Sequence, residues 1–324
     1  MTSKDKIHHR LERSRAPSVV SWEAGHRSNE SGKSDAVVDC GWGRLLFGQS
    51  FEDLQQLAAV LQEERPGKRD VALYLRDPHV VLSYAPQDLF LDPSHTFRLY
   101  LERYQSSHRM PKGFTVRLLN SREDAEAIHR LYVSRRMVPP DADFIWEHRT
   151  SKVLHYWVAE DDQDGSILGA VNGVDHVAAF ADPENGASLW ALAVDSQAPY
   201  PRIGETLVRR VLEYFQTRGR SFLDLSVMHD NGTAIRLYEK LGFERIPAFA
   251  LKNKNAYNEP LFIGRQPEAD LNPYATIIVN EARRRGIGVE VIDAEGGYFA
   301  LVLGGRRIVC RESLSELTTA VAMS

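Results

Sequence analysis

The chain has 324 residues, a formal net charge of −4, 43% hydrophobic and 26% charged residues, ordinary globular usage for two or three domains able to bury a core. That balance supplies no global basic field, so it argues against partnership with nucleic acid or an anionic membrane. The two cysteines, Cys40 and Cys310, lie far apart and in no metal-ligand spacing, which excludes a disulfide-built domain and suits a reducing cytoplasm.

Residues 1–35 are polar, rich in Ser, Lys, Arg and His, and are expected to be disordered and not a secretory signal. No apolar run approaches the roughly 18–20 residues of a membrane helix. Order is expected from Ala36, with two apolar patches around Gly41-Trp42-Gly43. A helix is predicted within Phe51–Glu64, from Leu54, Leu57, Ala58, Val60 and Leu61, and Pro66-Gly67 ends it. Asp70–Leu75 and His79–Tyr84 read as strands about a turn at Asp77-Pro78, completing a small N-terminal α/β unit over 36–112.

A second domain is expected over 113–262. It opens with strand Phe114–Leu119, and Asn120 or Ser121 caps a helix over Arg122–Met137. Pro139-Pro140 breaks it before a short helix over Asp141–His148. Leu154–Glu160 and Ile167–Val177 read as a hairpin, and Asp182–Gly186 as a turn. Leu189–Val194 is nearly all apolar, as in a strand covered on both faces. Gly204 opens a helix with Leu207, Val208, Val211, Leu212 and Phe215 on one side, closed by Gly219. Strand Phe222–Met228, a helix capped at Asp230 or Asn231 and ended by Gly242, and a strand over Phe243–Lys252 follow. The last segment, 270–324, reads as a helix over Pro273–Arg285, short strands at Val289–Asp293, Tyr298–Leu303 and Arg306–Cys310, and a capping-box helix start at Ser313-Leu-Ser-Glu316. That domain is expected to be incomplete.

Chemistry concentrates in residues 188–243. Arg202, Ile203, Gly204, Glu205 and Thr206 begin a helix after the turn Ala198–Pro201, and amides at a helix start are a ready anion site. Ala234 and Tyr238 stand four apart on one helical face, a small residue beneath a phenol that leaves room for a ligand tail. The order strand, turn, helix, strand, then Asn231, Ala234, Tyr238 and Gly242-Phe243 resembles the acyl-CoA-binding half of the GNAT N-acetyltransferase superfamily. That resemblance implies an α/β fold with a mixed, mostly antiparallel central sheet flanked by helices. It implies acetyl-CoA as co-substrate; no metal is expected, because the histidines show no metal spacing such as His-Glu-x-x-His. Backbone groups of Leu192, Ala193 and Val194 would meet the pantetheine, residues 202–206 its pyrophosphate and Asn231 the arm, and Tyr238 would protonate the departing thiolate. The superfamily turn is Gln/Arg-x-x-Gly-x-Gly/Ala; here Pro199 and Arg202 stand at its first two marked positions and only Gly204 is kept. The candidates for the base are Asp175, His176, Glu184 and His229, with His176 and Glu184 carried forward.

Further stretches, Asp39–Phe47, Arg76–Val81, Gly173-Val-Asp-His176, Asp224–Asp230, Asn255–Phe262 and Arg311–Leu317, resemble the N-acetyltransferase part of the N-acetylglutaminylglutamine synthetase family, a GNAT domain followed by an ATP-grasp ligase. The resemblance implies acetylation of the glutamine α-amine in osmolyte synthesis, with 270–324 leading into a ligase whose ATP-binding lobes would lie beyond Ser324. Acetylation of another small amine, or a non-catalytic acyl-CoA-binding module regulating a linked ligase, are the competing readings. Oligomeric state is not legible.

Overall fold

The computed structural model describes residues 35–107, 111–262 and 270–318; the expected disordered tail lies, but for Asp35, outside them. The chain divides into two compact units, Met1–Asn258 and Glu259–Ser324.

In the first unit, strands β1 (Val37–Asp39) and β2 (Arg44–Phe47) flank the Gly-Trp-Gly turn. Gly41 has φ +78, and a Cβ on Gly43 would stand 2.3 Å from the Arg69 carbonyl, so both positions need glycine. Helix α1 (Leu54–Gln62) is capped by Asp53, which accepts from the Gln55 N–H, and strand β3 (Val71–Leu75) follows. The expected strand at His79–Tyr84 is instead helix α2 (Pro78–Tyr84). Pro78 occupies the first helical position, where its fixed φ suits a helix and its missing N–H costs nothing, and this outweighs the β-branched Val80-Val81 pair.

Strands β4 (Leu89–Leu91) and β5 (Ser94–Tyr100) then lead to β6 (Phe114–Leu118). Helix α3 (Arg122–Ser134) starts at a reciprocal capping box between Ser121 and Asp124, and α4 (Ala142–Glu147) follows the two prolines. The hairpin is β7 (Leu154–Asp161) and β8 (Ile167–Asp175). Its second strand stops short of the expected Val177, because Asp175 accepts the Ala178 N–H and starts the short helix α5 (His176–Phe180). Then come β9 (Gly186–Val194), α6 (Ile203–Thr217), β10 (Phe222–Met228) and α7 (Gly232–Leu241). The strand expected over Phe243–Lys252 is broken at Pro247 into β11 (Glu244–Ile246) and β12 (Phe249–Asn253), which join different sheets.

One sheet has the order β1-β2-β3-β12-β4, the other β11-β5-β10-β9-β8-β7-β6. Among the described residues only β2–β3 and β9–β10 pair in parallel, so both sheets are mixed and mostly antiparallel. The boundary expected at 112/113 does not separate independent folding units. β5 inserts beside β10 along its whole length, and β12 crosses back between β3 and β4. Each swap satisfies backbone groups that a separate unit would leave on an open edge. α6 buries Ile203, Leu207, Val208, Val211, Leu212 and Phe215 on one face of the seven-stranded sheet. Residues of β1–β3, α3 and α4 cover the other face, hence the apolar run in β9.

The second unit has α8 (Glu259–Phe262), α9 (Pro273–Arg284) and an antiparallel sheet β13 (Gly288–Asp293), β14 (Tyr298–Leu303), β15 (Arg306–Arg311) and β16 (Leu314–Ser315). Leu271, Ala275, Val279, Phe299 and Cys310 form its core. The helix expected from Ser313 is not formed through residue 318. Glu312, at φ +51, turns the chain back so that Leu314–Ser315 pairs with Cys310 and Arg311.

Candidate active site

The parallel pair at the sheet centre does not stay paired. β9 and β10 are in register only from Gly186↔Phe222 to Leu189↔Leu225. Beyond that β9 continues against β8 to Val194, and β10 continues against β5 to Met228. The strands diverge into a slot. Its β9 wall carries an irregularity at Ala191, a non-glycine residue at φ +52, where two residues oppose one on β8. Leu192, Ala193 and Val194 therefore lie on the slot wall, where backbone groups not used by β10 can pair with an extended amide chain.

At the slot's open end stands the N-terminus of α6. Arg202 is its N-cap residue at φ +69, with no side-chain cap on the amides that follow. Arg202, at the position where the superfamily pattern has its first glycine, thus adopts the left-handed conformation that favours glycine. A Cβ on Gly204 would meet only Val194 Cγ2, at 3.6 Å; the fold tolerates a side chain there. Glu205 sits in the first turn, but its carboxylate is held by Arg209 at 3.0 Å and Lys240 at 2.7 Å. Burial alone would raise it, and these two cations bring it below its ordinary value. With Arg202 this end of the slot is net positive, and the Glu205–Lys240 pair fixes α6 against α7. Ile203 is buried under the helix, and the Thr206 hydroxyl donates back to the Arg202 carbonyl.

α7 supplies the third wall. Asn231 is its N-cap, accepting the Ala234 N–H at 3.2 Å, and Gly242 ends it at φ +96. Ala234 and Tyr238 both face the core under α6, and the Tyr238 ring meets Phe243 edge-on at 5.7 Å. Burial pushes the Tyr238 phenol up to about 12.

A second feature lies between the two sheets: a cavity of about 370 Å³ lined by Tyr74, Arg76, Arg98, His176, Asp182, Glu184 and Phe222, among others. Two of the four base candidates, His176 and Glu184, come together here. The other two do not. Asp175 is locked by Arg220 through two contacts of 2.9 Å, and His229 faces His95. Arg98 grips Asp224 bidentately at 2.8 Å, lies 3.6 Å from Glu184 and stacks over Phe222 at 3.5 Å. Burial alone would lower the Arg98 guanidinium, but the Asp224 charge and hydrogen bonds raise it. Tyr74 also faces this cluster; burial first, then the Asp224 charge, raise its phenol. It holds φ +59, strain that only surrounding structure can maintain. Tyr74, Arg98, Asp182 and Asp224 escaped the sequence reading. Asp-rich turns and alternating strands gave no sign that distant segments would converge.

Residues 120–243 match the model of the acetyltransferase (GNAT) family. The chain is 28% identical to mycothiol acetyltransferase of Actinosynnema mirum over 42% of this chain and 46% of that protein. It is 38% identical to the [ribosomal protein bS18]-alanine N-acetyltransferase of Salmonella typhimurium over 21% and 49%. The chain thus spans less than half the length of these relatives. A GCN5-related N-acetyltransferase from Kribbella flavida is similar in structure at TM-score 0.47 and 14% identity, over 76% of this chain and 99% of that one. The matched segment is of the acyltransferase class, in the α/β fold the sequence led us to expect. Among the described residues no helix is long and apolar enough to cross a membrane, and no three His, Cys, Asp or Glu are grouped to hold a metal.

Proposed function

We propose that the chain transfers acetyl from acetyl-CoA to the α-amine of an amino acid, with glutamine the acceptor suggested by resemblance and 270–324 the lead-in to a ligase. The observation that carries the reading is the divergence of β9 from β10 after Leu189 and Leu225, beside an uncapped helix start. Backbone groups of Leu192–Val194 would hold the pantetheine amides. The amides of residues 203–206, with Arg202, would hold the pyrophosphate, and Asn231 and Ala234 would border the arm. The acceptor would enter from the cavity, whose Arg76 and Arg98 on one hand and Glu184 and Asp182 on the other suit a zwitterion. The neutral amine attacks the thioester carbonyl, the C–N bond forms and the C–S bond breaks. The amine loses its proton toward His176 or Glu184, and the thiolate gains one from Tyr238.

The degenerate turn at Pro199–Arg202 favours a second reading, an acyl-CoA-binding module without activity. Thiol release from acetyl-CoA across a panel of amino acids, with mass analysis of products, separates the readings. Acetylglutamine is the expected product. Reaction with other amines alone would remove glutamine, and calorimetric binding without thiol release would favour the module.

A further inference from the structure

A chain of polar contacts, one close carboxylate–imidazole approach and two hydrogen bonds, leads from the cavity to Ser188 of β9. Asp182 Oδ2 lies 3.5 Å from His176 Nδ1, His176 Nε2 lies 2.8 Å from Ser188 Oγ, and the Trp190 indole N–H donates to the same Oγ at 2.7 Å. Asp182, His176 and Ser188 are each almost wholly buried. The chain has one direction. Trp190 can only donate, so it takes one Ser188 lone pair. The Asp182 carboxylate also accepts the N–H groups of Glu184 and Gly186, at 3.1 and 2.9 Å. Burial alone would raise its titration, but His176 and these amides hold it below its ordinary range. An ionised Asp182 fixes the proton of His176 on Nδ1, which leaves Nε2 free to accept from the Ser188 hydroxyl. Ser188, still paired with Asp224, stands one residue before Leu189, the last residue β9 shares with β10.

We propose that Ser188 is the first acceptor of the proton lost by the amine, and passes its own to His176, with Asp182 the positioning residue. This rests on the acetyl-transfer reading. As nitrogen bonds to the acetyl carbon, its proton moves to Ser188 Oγ while the Ser188 proton moves to His176 Nε2. The imidazolium so formed lies beside the Asp182 carboxylate, and the sulfur is protonated separately. The groups facing His176 are Tyr74 from β3, Asp182 and Glu184 from the loop before β9, and Ser188 from β9; Arg98 from β5 and Asp224 from β10 stand behind them across the cavity. Phe47 and Phe180 close the remaining sides of the ring.

The test uses the full chain. Ser188→Ala should lower kcat by roughly 10²-fold or more and flatten the acid limb of kcat/KM, leaving KM for acetyl-CoA within about twofold if the relay acts only in the transition state. Ser188→Thr should restore most of the rate. Nitrogen NMR of His176 should show the Nδ1–H tautomer in the wild type and its loss in Asp182→Asn. A Ser188→Ala enzyme with wild-type kcat at every pH overturns the proposal, as does an Nε2–H tautomer in the wild type. If the wild type releases no thiol with any amine, the acetyl-transfer reading falls and takes the catalytic role with it. The tautomer then still decides whether the oriented chain exists.

Discussion

Replacing Tyr238 by Phe removes one oxygen and keeps the ring. The edge-on contact with Phe243 at 5.7 Å and the packing under α6 remain, so stability should change by less than about 1 kcal/mol. The rate should change far more. With the phenol pushed up to about 12 by burial and a thiol near 8.5, complete transfer to a finished thiolate is uphill by roughly 5 kcal/mol. The proton must therefore move as the C–S bond breaks, while negative charge is still growing on sulfur. Loss of that donation should lower kcat by roughly 10²–10⁴-fold, or about 3–5 kcal/mol in activation free energy. Because the phenol stays protonated throughout, the loss should be uniform from pH 6 to 10, without an alkaline limb. Stopped-flow thiol release in both enzymes measures this. An unchanged kcat at all pH values removes Tyr238 as the acid; a limb near pH 10 present only in the wild type refutes the burial argument.

Arg202→Gly should stabilise the chain by up to about 1 kcal/mol. The left-handed cost of a side chain is about 1–2 kcal/mol, offset in part by glycine's greater freedom when unfolded. A lower urea midpoint would contradict this. Arg98→Met leaves Asp224 buried without its cation and should cost about 3–5 kcal/mol; a loss under 1 kcal/mol would show the pair to be dispensable. His155, pushed down to about 4 chiefly by burial, binds fewer protons folded than unfolded between its unfolded value near 6.5 and 4. Its contribution, roughly 3 kcal/mol, is complete above that window and is lost as pH falls through it. Urea unfolding of wild type and His155→Leu across pH 4–7.5 should give different slopes, and equal slopes would refute the assignment.

Local pattern alone carried the helices and strands from Phe114 to Gly242 except the short α5, which replaced the end of an expected strand, because apolar spacing, Ser121, Asn231 and Gly242 act within a few residues of themselves. It also carried the helix start at 202–206 and the place of Tyr238 on the helix with Ala234. Pro78 and Pro247 were present in the sequence, but their effects depended on neighbours: one began a helix, the other sent the chain from one sheet to the other. What only the tertiary structure decided is pairing. Sequence cannot say that β5 would complete the edge of β10, that β9 and β10 would diverge after four residues, or that Arg202 would hold a glycine's conformation. Nor can it say that Asp182, His176 and Ser188 would line up beside Arg98 and Tyr74. Strand partners are set by long-range hydrogen bonding and burial, which leave no local periodicity, so the proposed acyl-CoA half of the site lies in one stretch of sequence and the proposed acceptor half is assembled from four.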